Sequence, residues 1–386
     1  MSAGSTLAGD AYPAVAASPE RSELARVDPP PSAGPAPLAR RASDPGAPRH
    51  PRPMSSAMDQ ELTRLHKQLA VRRYPSLLLH WLARWFRRPR PVQIDPRTPV
   101  RAGEVAVTFA GHATALLRYQ DVSVAFDPML GDWIGGVRRE VAAGVDEQEL
   151  REVALILISH RHIDHLHPET LARLPKHATV VVPAGAAAVI SPLGFERVIE
   201  LRAGADFTFR GLQISTFPLH HGEDDLAKGL CYLLRGLGPS VLLCGDGAYH
   251  ADFATIGARY APDIALLPIG GFWPRAMRRR HMSPLDALAA FKDLSARALV
   301  PIHHGAFALS YERLEEPLRI LLEVATARHV RDYVVAMQPG QTDTFALEPG
   351  ELAALALDRS ELAVREAEEH GGGGGRGSGP LMTRRQ

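Results

Sequence analysis

From residue 104 onward one pattern repeats. Short β-rich apolar runs stop at Gly, Asp or His: "EVAVTFAG" (104–111), "ALLRYQDVSVAFDP" (115–128), "VALILISH" (153–160), "ATVVVPAG" (178–185), "LQISTFPLHH" (212–221), "GLCYLLRG" (229–236), "SVLLCGDG" (240–247), "DIALLPIG" (263–270) and "ALVPIHHG" (298–305). Helical candidates fall between several of them, at 146–153, 168–174, 184–191, 250–259, 283–295 and 310–325. Strands alternating with helices, with hairpins early on, predict a mixed α/β domain of layered sheets. Polar side chains that recur where strands stop mark the place where a rigid scaffold presents its chemistry.

The densest of these stops is "SHRHIDHL" (159–166). In an extended segment, positions i and i+2 point the same way, so His160 and His162 can reach one point. A turn at Ile163 lets Asp164 and His165 reach a second point nearby. Imidazole and carboxylate together suit borderline divalent metals, zinc above all. Two ions need more ligands than four. Later strand ends offer His220 and His221, Asp246 in a Gly-flanked turn, and His303 and His304. From the residues alone, either member of each His pair could serve.

In this order of motifs the chain resembles the metallo-β-lactamase superfamily. The resemblance spans roughly 104–325 and runs through "GHAT" (111–114), "FDP" (126–128), "SHRHIDHL", "PLHHG" (218–222), "GDGAY" (245–249) and "IHHGAF" (302–307). It implies a four-layer αββα sandwich carrying a one- or two-zinc site on strand-end loops. Within the superfamily, "PRAMRRRHMSPLDAL" (274–288) followed by "IHHGAF" is most similar to the N-acyl-phosphatidylethanolamine-hydrolysing phospholipase D group and its bacterial relatives.

The resemblance implies one zinc on His160, His162 and His221, a second on Asp164, His165 and His303, and Asp246 bridging them. It selects His221 by its position after Pro218 and His303 by its position after Ile302. It gives Asp164 a second, catalytic role and places His281 beside the scissile group. His112 and Asp127 are implied to orient ligands. His304, Arg161 and Ala306 depart from the group's usual residues, Trp, Asn or Ser, and Thr, which leaves the substrate open.

The activity implied is zinc-dependent hydrolysis, as a phosphodiesterase of phospholipase D type on N-acyl-phosphatidylethanolamine-like lipids. The alternatives are a lactonase or other carbonyl hydrolase on the same fold, and a non-catalytic metal-binding scaffold. Arg275, Arg278, Arg279 and Arg280 read equally well as a collar for an anionic headgroup or as a loop kept basic for solubility. His167, His177 and His250 read as structural or surface residues.

Composition bounds the rest. A net charge of +1 provides no field to recruit nucleic acid, so a small molecule or phospholipid is the expected partner. Two cysteines cannot build a disulfide framework, and neither a signal peptide nor a membrane-spanning run is evident, which points to the cytoplasm, with peripheral membrane contact in view. Residues 1–53 hold 11 of the 32 prolines, so 1–56 is expected to be disordered, as is the Gly-rich tail 371–386. Between them lie a helical extension (57–103), the hydrolase domain (104–345) and a C-terminal extension, expected helical (346–370). Residues 76–88 place Trp85 and Phe86 beside Arg84, Arg87 and Arg88. Two readings stay open there: a helix packed on the domain, or one lying at a lipid interface.

Overall fold

The computed structural model describes residues 60–61, 63–64, 87–222 and 228–347. The apolar runs become strands with two buried faces. Strands β1 (Glu104–Gly111), β2 (Thr114–Arg118), β3 (Ser123–Phe126), β6 (Leu155–Leu157), β7 (Thr179–Pro183), β8 (Arg197–Leu201) and β15 (Thr342–Ala346) form a seven-stranded sheet in the order β15-β1-β2-β3-β6-β7-β8. Strands β9 (Asp206–Phe209), β10 (Leu212–Leu219), β11 (Gly229–Arg235), β12 (Val241–Leu243), β13 (Ile264–Pro268) and β14 (Ala298–Ile302) form a six-stranded sheet in the order β14-β13-β12-β11-β10-β9. A small hairpin, β4 (Trp133–Ile134) with β5 (Val137–Arg138), stands apart.

Period-two alternation divides each run between two cores. Leu155 and Leu157 of β6, Val241 and Leu243 of β12, and Ile264 and Leu266 of β13 share the core between the sheets. Ile156 and Val180 face outward to the layer of α1 (Glu147–Arg151), α2 (Pro168–Arg173) and α3 (Ala187–Ile190). Leu242, Ala265 and Leu267 face outward to α4 (Asp252–Tyr260), α5 (Pro284–Asp293) and α6 (Glu316–Ala327). Helices therefore cover both outer faces, and the architecture is a four-layer αββα sandwich.

Strand direction gathers the stops at one edge. β3 runs parallel to β6, and β12, β13 and β14 run parallel to one another. Two antiparallel steps, through β2 and through β11, orient β1 like β3 and β10 like β12. The residues after β1, β3 and β6 therefore leave one sheet at a common edge, and those after β10, β12, β13 and β14 do so in the other.

Two expectations need correction. Residues 87–103 carry no helix: Pro89, Pro91, Pro96 and Pro99 forbid one, and the segment runs extended over the domain, with Asp95 N donating to Gly340 O at 2.9 Å. Helix α6 begins at Glu316 rather than 310, with Pro317 in its first turn, because Glu312 is engaged elsewhere (below). The segment 1–56, the stretch 76–86, residues 348–370 and the tail 371–386 lie outside the described residues. Among the described residues no helix is long and apolar enough to cross a membrane.

Candidate metal centre

The stops after β1, β6, β10, β12 and β14 supply side chains to one cluster. His160, His162, His221 and Asp246 place one ligand-type atom each within 4.8 Å of one another, and so do His112, Asp164, His165 and His303. In the first set, His162 Nδ1 lies 2.9 Å from His160 Nε2 and 3.0 Å from His221 Nε2. In the second, Asp164 Oδ2 lies 3.5 Å from His165 Nε2 and 3.7 Å from His303 Nε2. Asp246 touches both: Oδ1 is 3.1 Å from His160 Nε2 and 3.4 Å from His165 Nε2, while Oδ2 is 3.5 Å from His221 Nε2 and 3.4 Å from His303 Nε2.

The chain builds this cluster with local strain and close approach. His112, Asp127 and His303 all adopt positive φ, at 59°, 42° and 57°, a region that costs a non-glycine residue about 1–3 kcal/mol and persists where surroundings enforce it. His303 N donates to His112 O at 2.7 Å and locks two of these turns together. Gly229 lets the Ser159–His160 backbone pass and Gly245 makes room for the Ser159 side chain, since a Cβ on either would collide with Ser159.

Outer groups fix the rings. Asp127, fully buried, accepts from Ser159 N and Ser159 Oγ at 2.6 Å each and from His165 Nδ1 at 2.7 Å. His221 Nδ1 donates to Arg280 O at 2.9 Å, and His112 Nε2 donates to Asp164 Oδ2 at 3.1 Å. These bonds leave the opposite nitrogens of His165 and His221 facing the cluster centre, the arrangement of carboxylate- or carbonyl-oriented metal ligands.

Three buried atoms that face the centre, His165 Nε2, His303 Nε2 and Asp246 Oδ1, have no hydrogen-bond partner. Buried polar atoms left unmet are rare, and their convergence fits bound cations. Electrostatics agree. Burial lowers His112 to about 3 and His221 to about 4, and holds His160 well below its ordinary value, so these rings offer lone pairs. Burial would also lower His165, yet Asp246, Asp164 and Asp127 together raise it well above its ordinary value. Burial would raise Asp164 and Asp246, but the imidazoles around them, His165 foremost, hold both well below the usual carboxylate range. The field at the centre favours positive charge.

The paired histidines separate. His221 and His303 lie in the cluster. His220 turns outward to Asp252, and His304 is buried against Phe109, rings 5.3 Å apart, with its Nε2 donating to Pro301 O at 3.2 Å. His303→Ala and His221→Ala are therefore expected to release metal, which elemental analysis after dialysis would register. His304→Ala should keep the metal and lose about 1–3 kcal/mol of stability by leaving a buried carbonyl unmet; His220→Ala should keep the tightly held metal. Metal loss confined to the His304 or His220 variant would reverse the assignment.

His281 stands at the cluster's edge, with Nε2 3.2 Å from Asp246 Oδ2 and Nδ1 3.3 Å from Met277 O. Of the arginines before it, Arg275, Arg279 and Arg280 are exposed, and Arg278 lies over the Trp273 ring at 5.2 Å. Arg161 turns aside, donating from Nη1 to Gly185 O at 3.0 Å. His167 caps α2 by accepting from Thr170 N, and His177 is exposed.

Sequence reasoning missed three contributors. Ser159 links Asp127 to His160, with Oγ 3.0 Å from His160 Nδ1. Glu312 accepts from the backbone N–H groups of Gly271, Phe272 and Trp273, bracing the loop that leads to His281. Gly271 lies flat against the His281 ring, where a Cβ would come within 3.0 Å of it. Only Ser159 had a visible signal, its place directly before His160.

Residues 123–304 match the beta-lactamase superfamily domain. A UPF0173 metal-dependent hydrolase of Opitutus terrae is 31% identical over 61% of this chain and 98% of its own length. The mitochondrial N-acyl-phosphatidylethanolamine-hydrolyzing phospholipase D of Saccharomyces cerevisiae is 29% identical over 62% of this chain, but only 55% of its own length is matched. Among solved structures, a metallo hydrolase from the archaeon Ignicoccus hospitalis superposes with a TM-score of 0.51 at 23% identity, covering 64% of this chain and all of that one, a likeness of fold. Fold and site thus define a protein of the metal-dependent hydrolase class. The chain belongs to the metallo-β-lactamase superfamily.

Proposed function

We propose that this chain is a two-zinc hydrolase that cleaves phosphodiesters of N-acyl-phosphatidylethanolamine-like lipids. The observation that carries the reading is His281, held between the basic 275–280 turn and Asp246 Oδ2 at 3.2 Å. A phosphodiester carries a negative charge, which arginines would meet, and it needs a proton for its leaving oxygen, which an imidazole can supply. The yeast relative's name supports the same class of substrate.

His160, His162 and His221 would hold one ion, Asp164, His165 and His303 the other, with Asp246 between them. When bound, such a pair lowers the pKa of a shared water to about 7 and offsets charge developing on the scissile group. The residues do the rest. Asp164 Oδ2, already fixed by His112, would accept a hydrogen bond from the attacking water and set its direction. With His281 Nδ1–H given to Met277 O, Nε2 is the atom left to exchange a proton at the reacting group. The water oxygen would bond to phosphorus while one of its protons leaves through the hydrogen bond to Asp164 to solvent. The ester P–O bond would break, and His281, entering protonated on both nitrogens, would deliver the Nε2 proton to the departing oxygen and regain one from solvent. Residues 76–88 belong to this proposal as the part that would meet a lipid surface.

Zinc-loaded protein should hydrolyse phosphodiesters in preference to lactones and β-lactams. His281→Asn should lower kcat about 10²–10⁴-fold at unchanged metal content. A lactone preferred over every phosphodiester would replace the substrate assignment, unaltered kcat in the variant would remove His281 from the reaction, and no turnover at full zinc loading would favour a metal-binding scaffold.

A further inference from the structure

A second histidine–aspartate group lies beside the centre, on the outer side of the same loops. His220 Nε2 is 3.1 Å from Asp252 Oδ2, and His250 Nδ1 is 3.4 Å from that same oxygen. The His220 and His250 rings face each other with centroids 4.0 Å apart, and one ligand-type atom from each of the three residues lies within 4.8 Å of the others. We propose that His220, His250 and Asp252 form a third site for a borderline divalent cation of the zinc type, distinct from the two-ion centre.

The second observation is the state of His250. Its residue is 3% exposed, its ring lies tilted against buried Phe253 with centroids 4.2 Å apart, Nε2 has no hydrogen-bond partner, and Nδ1 has only the long 3.4 Å approach to Asp252 Oδ2. A buried imidazole nitrogen left unmet is costly unless something else occupies it. Two imidazoles and a carboxylate are the donor set of three-ligand zinc sites that keep a position open to water. His220 and Asp252 are 41% and 48% exposed, so that open position faces solvent and the ion exchanges more readily than the enclosed pair.

The site clamps the loops of the centre. His220 directly precedes His221, and His220 O accepts from Ala248 N at 2.6 Å, two residues after Asp246. Asp252 opens α4. A cation here would join the loop after β10 to the segment between Asp246 and α4. Binding restricted to the folded state then raises stability by mass action.

The test is a zinc titration of the dialysed full chain, read as bound equivalents and as thermal midpoint. The native protein should take up about one equivalent more than dialysis leaves, with a rise in the midpoint as it fills. Asp252→Asn, nearly isosteric and partly exposed, should lose both the added equivalent and the rise while keeping the zinc that survives dialysis. His250→Gln provides a second variant and should do the same. An added equivalent retained in both variants, or absent from the native protein, overturns the proposal. Zinc retained through dialysis reports the two-ion centre and the increment reports this site, so either reading can fail alone.

Discussion

Asp246→Ala is expected to abolish hydrolysis and to leave the protein unable to hold two metals. Asp246 places its oxygens within 3.5 Å of the centre-facing Nε2 atoms of both ligand sets: His160 and His221 on one side, His165 and His303 on the other. In the proposed two-ion centre its removal would take a carboxylate from each ion at once, and it also deletes the oxygen 3.2 Å from His281 Nε2. Removing a single charge-stabilising group from an enclosed site costs about 10²–10³-fold in kcat, and here both ions are weakened together, so the loss should be at least that large. The fold should survive, because the imidazoles that held the carboxylate can remain neutral. Hydrolysis of a soluble phosphodiester checks the rate, and circular dichroism checks the fold. Activity within tenfold of native would remove Asp246 from the centre.

Asp127→Ala should damage stability and metal binding together without touching a metal-facing atom. Its two oxygens satisfy three buried donors, Ser159 N, Ser159 Oγ and His165 Nδ1. Each donor left unmet costs about 1–3 kcal/mol, and a ligand that loses its orienting carboxylate binds metal about 10–100-fold less tightly. Asp127→Asn should recover part of the stability through Ser159 while still failing His165, because one of its two positions would present an N–H where an acceptor is needed. Thermal unfolding and competition with a chelator measure the two effects. A variant that unfolds at the native midpoint and keeps native zinc affinity would contradict this account of the second layer.

What could be seen in the sequence was what local geometry writes there. The apolar runs are strands buried on both faces, so they appear as continuous Val, Ile and Leu rather than as alternation. HxHxDH puts its ligand atoms together within one turn. His221 and His303 could be chosen over their neighbours only through a resemblance. The physical reason for the choice is tertiary: His304 packs against Phe109, and His220 faces away toward Asp252. Contacts across long separations left no trace. Glu312 braces Gly271 from 41 residues away, and nothing around it distinguishes it from a surface glutamate. The approach of His250 to His220 and Asp252 was likewise invisible, because they come together only when β10 and α4 are in place. The helix start expected at 310 and the helical reading of 87–103 failed for a simpler reason, while residues 60–61 and 63–64 are helical. Proline, and a carboxylate needed elsewhere, override helix propensity.

The central claim is that seven side chains hold two ions across Asp246. Anomalous diffraction at the zinc edge from crystals of the native protein tests it most directly. The account predicts two strong peaks, one ringed by His160, His162 and His221 and the other by Asp164, His165 and His303, with Asp246 in contact with both. A single peak within the cluster, or strong density only at His220, His250 and Asp252, would contradict it.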